Sequence, residues 1–103
     1  MLPVIMEFNL LACPDKFARI AEAMDPSVSG NTLEKAYKSV DLVKQLAHDI
    51  GIPKSISELG INKEEYERAI PDMAEDAMKS GNVKVNPRMT RIEDITALYR
   101  QIY

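Results

Sequence analysis

Three stretches of this chain read as capping boxes, in which a cap-forming residue is followed three positions later by glutamate. The sets are Asn31-Thr-Leu-Glu34, Asn62-Lys-Glu-Glu65 and Thr90-Arg-Ile-Glu93. In each, the first side chain can accept one of the unpaired N–H groups that open a helix, and the glutamate can reach back to the cap. Stop signals follow at matching distances. Gly51 and Pro53 close the first stretch, Gly60 closes a short turn at Ser55-Ile-Ser-Glu58, and Gly81 closes a later one. Such punctuation leaves little room for strands. The only alternating candidate, Val83-Lys-Val85, is too short to claim a sheet. The fold class read from the sequence is all-α, a bundle of about five to six helices.

Between the punctuation marks the apolar residues recur at helical spacing. Cys13-Pro14 starts a helix, with proline at the first position, where its missing N–H costs nothing. Phe17, Ile20, Ala21 and Met24 form its inward face. Leu33, Ala36/Tyr37, Val40, Val43, Ala47 and Ile50 make a stripe of about five turns. The Asn62 cap starts a helix carrying Tyr66 and Ala69. Pro71 predicts a break after Ile70, because the residue before proline is pushed toward extended geometry. A separate helix is then expected from Pro71 to Lys79, with Met73, Ala74, Ala77 and Met78 inward. Asn82–Met89 reads as a linker with a turn at Asn86-Pro87. Ile92, Ile95, Leu98, Tyr99 and Ile102 give the last apolar face.

With 103 residues, 46% hydrophobic and 28% charged, the chain reads as a single helical domain over 1–103. Its net charge of −3 gives no basic surface for nucleic acid. Leu2–Ala12 is apolar on nearly every side but falls short of the roughly 20 residues that span a membrane. One cysteine allows no disulfide framework and suits a cytoplasmic location. His48, the only histidine, sits in the last turn of its helix, where a cation is favoured. The acidic residues Glu64, Glu65, Glu67, Asp72, Glu75 and Asp76 read as a solvated face. Cys13 lies near a helix start but has no histidine beside it to support a nucleophile. The four glycines are too far apart for a phosphate loop. The expectation for catalytic, cofactor-binding and metal-ligating residues in this chain is therefore none.

Five blocks, "LPVIMEFN", "CPDKFARIAEAM", "DIGIP", "SELGI" and "NPRMTRIEDITALYRQIY", stand in the order found in the iron-dependent (group III) alcohol dehydrogenases. The chain resembles the C-terminal part of that family's helical domain. The resemblance implies a parent enzyme that interconverts alcohols and aldehydes with NAD(P) and Fe or Zn, the metal acting as a Lewis acid on the substrate oxygen. Its ligands, an Asp and three His, and its Gly-rich cofactor turn would lie upstream of Met1, the last His only a few residues before it. None carries over onto these residues. The chain would supply a wall of the cleft and would be inactive alone. Asn82 and Val83, in a loop similar to one at the family's cleft mouth, are the candidate substrate-rim residues. Some relatives carry Cys where Asn82 stands, so substrate preference does not transfer. A competing reading is a stand-alone helical module that dimerises or binds a partner protein. The apolar opening segment around Ile5 and Phe8 would then be covered by a second copy in a homo-oligomer, or otherwise by the missing N-terminal part of the enzyme.

Overall fold

The computed structural model describes residues 1–103 and is helical throughout, with six α-helices, one 3-10 turn and no strand. It divides into two compact units, Leu2–Ile52 and Pro53–Tyr103 (with Met1). No helix is long and apolar enough to cross a membrane.

The first unit contains α1 (Leu2–Leu10), α2 (Pro14–Met24) and α3 (Thr32–Asp49). Its core gathers Met6 and Leu10 of α1, Phe17 of α2, and Ala36 and Val40 of α3, with Cys13 and Val43 against them. Helices α2 and α3 pack together, and beside Phe17 and Val40 the residues buried on them are small: Ala18 and Ala21 on α2, Ala36 and Ser39 on α3. Small side chains let two helix backbones approach closely. They also explain a departure from the expected face of α2. Phe17 and Ala21 are buried as expected, but Ala18 joins them while Ile20 and Met24 stay exposed. The buried face of α2 thus centres on Phe17, Ala18 and Ala21. Ser39 is wholly buried, and its hydroxyl is satisfied by donating to the Ala36 carbonyl at 2.6 Å.

The start of α3 is capped as the sequence implies: the Asn31 side chain accepts from the Glu34 N–H at 2.9 Å. Only this half of the reciprocal pair forms. At the other end Gly51 takes φ +79°, the left-handed conformation that closes a helix without a Cβ clash.

The second unit begins with the 3-10 turn Ile56–Leu59, ended by Gly60 at φ +76°. It continues through α4 (Lys63–Lys79), α5 (Gly81–Lys84) and α6 (Ile92–Gln101). The Asn62 side chain accepts from both Glu64 N–H and Glu65 N–H. The expected break at Pro71 does not occur, and α4 runs straight through it. An internal proline costs about 3 kcal/mol. Tyr66, Ile70 and Ala74 all lie buried on one face of α4. A break after Ile70 would split that face, and each large side chain uncovered would cost about 1.5–3 kcal/mol. Pro71 itself is exposed, so water can reach the backbone beside it.

On α6 the buried residue is Ile95, with Ile102 just past the helix end. The helix opens at Arg91, one residue later than expected. The Asp94 carboxylate accepts from the Arg91 N–H at 2.9 Å, while the Thr90 hydroxyl turns back to the Arg88 carbonyl at 2.8 Å. The last residues stitch the unit together. Ile56 N–H donates to the Ile102 carbonyl and Ser57 N–H to the Tyr103 carbonyl. The Tyr66 hydroxyl donates to the Tyr99 carbonyl at 2.6 Å, and the Tyr103 hydroxyl to the Ile61 carbonyl at 2.7 Å. The rings of Tyr66 and Tyr103 pack 5.2 Å apart between centroids.

Candidate cleft-rim segment

Ser80 sets the geometry of the segment that holds Asn82 and Val83. It ends α4 with φ −67° and ψ 136°, an extended turn, and starts α5 with the same residue. Its hydroxyl oxygen accepts from the Asn82 N–H at 3.2 Å, capping the single turn of α5. Asn82 thus sits in the first turn of a short helix where the sequence suggested a plain linker. Its side chain is exposed and makes no hydrogen bond within the chain, whereas Val83 is half-buried. Gly81 does not need to be glycine for conformational reasons, since a Cβ there would meet nothing within 4 Å.

The turn after α5 is closed by Asn86. Its backbone N–H donates to the Val83 carbonyl, and its side-chain amide donates to the Arg88 carbonyl at 2.8 Å and the Thr90 hydroxyl at 3.1 Å. This network fits the reading of Asn86-Pro87-Arg88 as a structural turn feeding α6. Between these bonds Val85 and Met89 project into solvent, 79% and 85% exposed.

The remaining chemistry-bearing residues do not converge. His48 is exposed at the end of α3, with Nδ1 3.6 Å from the neighbouring Asp49 carboxylate. Cys13 is half-buried and its thiol donates to the Asn9 carbonyl at 3.8 Å. No group of three or more His, Cys, Asp or Glu side chains gathers where it could hold a metal ion. The residues of this chain therefore do not fit the Fe or Zn that the resemblance implies. Asp25, in the α2–α3 loop, is held below the usual carboxylate range by the Ser27 hydroxyl and then the Ser27 N–H, a local turn rather than a site. A shallow groove of about 360 Å³ lies along α4 and α6, floored by Ala74, Ile92 and Ala97 and edged by Glu75, Glu93 and Arg100. Arg100 is already engaged by Glu67 at 3.2 Å. Sequence reasoning missed this groove, because it depends on which residues of α4 and α6 come side by side.

Comparison with known proteins identifies the family of this helical chain. The family described as Fe-containing alcohol dehydrogenase, C-terminal, matches residues 1–103. A 1,3-propanediol dehydrogenase of Klebsiella pneumoniae is 39% identical over 104 residues, which cover 100% of this chain and 26% of the relative. A lactaldehyde reductase of Escherichia coli is 35% identical over 100 residues, 96% of this chain and 25% of the relative. The crystal structure of a 1,3-propanediol oxidoreductase superposes with a TM-score of 0.88 at 41% identity, covering 99% of this chain and 26% of that one. The chain spans about a quarter of the length of the relatives it matches. On this full-length match, the chain belongs to the Fe-containing alcohol dehydrogenase family and corresponds to its C-terminal, helical part.

Proposed function

We propose that these 103 residues form the C-terminal helical part of an NAD(P)-dependent oxidoreductase that interconverts alcohols and aldehydes in the cytoplasm. The observation that carries this reading is the family match over residues 1–103, joined to a TM-score of 0.88 at 41% identity. Relatives differ in nicotinamide: one from Bacillus methanolicus is named an NAD-dependent methanol dehydrogenase, and one from Clostridium saccharobutylicum an NADPH-dependent butanol dehydrogenase. This chain gathers no ligand set and no phosphate-binding turn, so its share of the work is shape. It walls the cleft and positions the α5 turn. Asn82 and Val83 stand at the cleft rim on this reading. The support is that Asn82 is exposed with its side-chain amide uncommitted, held by a cap that leaves the amide unused. Such a residue can contact substrate without supporting a core.

The test is a chimera in which these residues replace the matching C-terminal quarter of the K. pneumoniae 1,3-propanediol dehydrogenase. It should oxidise 1,3-propanediol, the substrate in that relative's name, with a nicotinamide as acceptor. A chimera that folds and binds nicotinamide yet shows no alcohol-dependent reduction of it would overturn the proposal. In the active chimera, Asn82→Trp should raise KM for bulky alcohols by about tenfold with thermal stability nearly unchanged, since surface loop changes rarely exceed about 0.5 kcal/mol. Loss of stability with an unchanged substrate profile would make Asn82 structural.

A further inference from the structure

Asn82 and Val83 sit on a stretch with little packing beneath it. From Gly81 to Thr90 only Val83, Asn86 and Thr90 are half-buried, and every other residue is exposed. A segment with so few buried contacts opens locally at small cost unless something else holds its backbone. Hydrogen bonds take over that task here. Upstream, the Ser80 hydroxyl oxygen accepts from the Asn82 N–H at 3.2 Å. Downstream, the Asn86 N–H donates to the Val83 carbonyl at 3.3 Å. The bond to Val83 forms only while the backbone at Asn86 is held in place, and the Asn86 side chain does the holding.

Asn86, Arg88 and Thr90 close a ring of polar groups. The Asn86 amide donates to the Arg88 carbonyl at 2.8 Å and to the Thr90 hydroxyl at 3.1 Å, and that hydroxyl donates onward to the Arg88 carbonyl at 2.8 Å. Every hydrogen in the ring has an acceptor. A side-chain amide gives two, a hydroxyl gives one, and a carbonyl oxygen receives two. The ring therefore depends on an amide at position 86 and a hydroxyl at position 90. It is not needed to open α6, because the Asp94 carboxylate already caps that helix by accepting from the Arg91 N–H at 2.9 Å. Its effect falls instead on the turn that ends at Val83.

We propose that Asn86 and Thr90 are positioning residues that fix the α5 turn and so hold Asn82 and Val83 at the substrate-cleft rim, an inference that rests on the rim reading above. Thr90→Val and Asn86→Asp keep the shape of the side chain while removing donors from the ring. Made separately in the chimera with the K. pneumoniae relative, each should raise KM for 1,3-propanediol about fivefold, the worth of one hydrogen bond. The kcat should stay within about twofold, since binding and not the chemical step is disturbed. Thr90→Ser keeps the hydroxyl and should restore the KM of the unaltered chimera. In an Asn82→Ala background the effect of Thr90→Val on KM should fall below about twofold, because a residue acting through Asn82 has lost its target. An unchanged KM in both Thr90→Val and Asn86→Asp overturns the inference. So does a full effect that persists in the Asn82→Ala background, and so does loss of folding in both variants, which would make the ring structural support alone. Failure of the rim reading looks different: there Asn82→Trp leaves the substrate profile unchanged. Where only the positioning role fails, Asn82→Trp still raises KM and Thr90→Val does not.

Discussion

Asn62 and Tyr66 show how much a single side chain can hold in the second unit. The Asn62 oxygen accepts from two backbone N–H groups that have no partner inside α4. Asn62→Ala should cost about 1 kcal/mol, measured as a lower urea midpoint. Tyr66 is buried, and removal from water pushes its phenol above the ordinary value near 10, with Tyr99 and then Glu67 adding to the effect. The sign of the pH dependence follows. As pH rises past 10, the unfolded chain gives up this proton before the folded chain does, so the stability Tyr66 contributes is complete below that pH and lost above it. Tyr66→Phe removes the bond to the Tyr99 carbonyl and should cost about 1 kcal/mol at neutral pH. The gap between wild type and variant should narrow above about pH 10. Urea midpoints from pH 8 to 11 check this, and a gap that stays constant would rule out the phenol as the titrating group.

At the scale of elements, caps were legible and faces less so. Asn31, Asn62, Pro14, Gly51 and Gly60 each mark a boundary the structure keeps, because a cap is a local event decided within a few residues. Pro71, Ile20 and Met24 misled for the opposite reason. What α4 and α2 bury depends on partners distant in sequence, and those overrode the local preference at Ile70 and brought Ala18 into the buried face of α2. The α6 cap moved from Thr90 to Arg91 because the Thr90 hydroxyl is drawn into the Asn86 turn. The rim candidates Asn82 and Val83 came from family resemblance alone; nothing in their spacing marks a site, and the α5 turn that carries them depends on a serine hydroxyl. Pro71 offers a clean experiment. It is exposed and internal to α4, so Pro71→Ala restores one helical hydrogen bond without opening a cavity. The gain should be about 2 kcal/mol, from a helix penalty of about 3 less the chain stiffness proline gave the unfolded state. A destabilised variant would mean that the proline shapes α4 in a way its neighbours require.

The whole molecule is two small helical units with separate cores, and the Gly51–Pro53 stop is also where one gives way to the other. Leu10 and Ile70, each 0% exposed, anchor the two. Truncation of either to alanine should cost about 2–5 kcal/mol. The loss should be largest in the truncated residue's own unit. In hydrogen exchange, Leu10→Ala should deprotect amides within 2–52 most strongly and Ile70→Ala those within 53–103. Uniform deprotection by both would show one cooperative unit instead. On the proposed function, these helices give shape and the rest of a family enzyme gives chemistry. Calorimetric titration of the 103-residue chain with Fe(II), Zn(II), NAD and NADP in turn tests that claim most directly. The account predicts no saturable heat at micromolar concentrations, since one exposed His, one half-buried Cys and no ligand cluster offer nothing to bind. Stoichiometric, saturable binding of any of the four to the monomeric chain would contradict it.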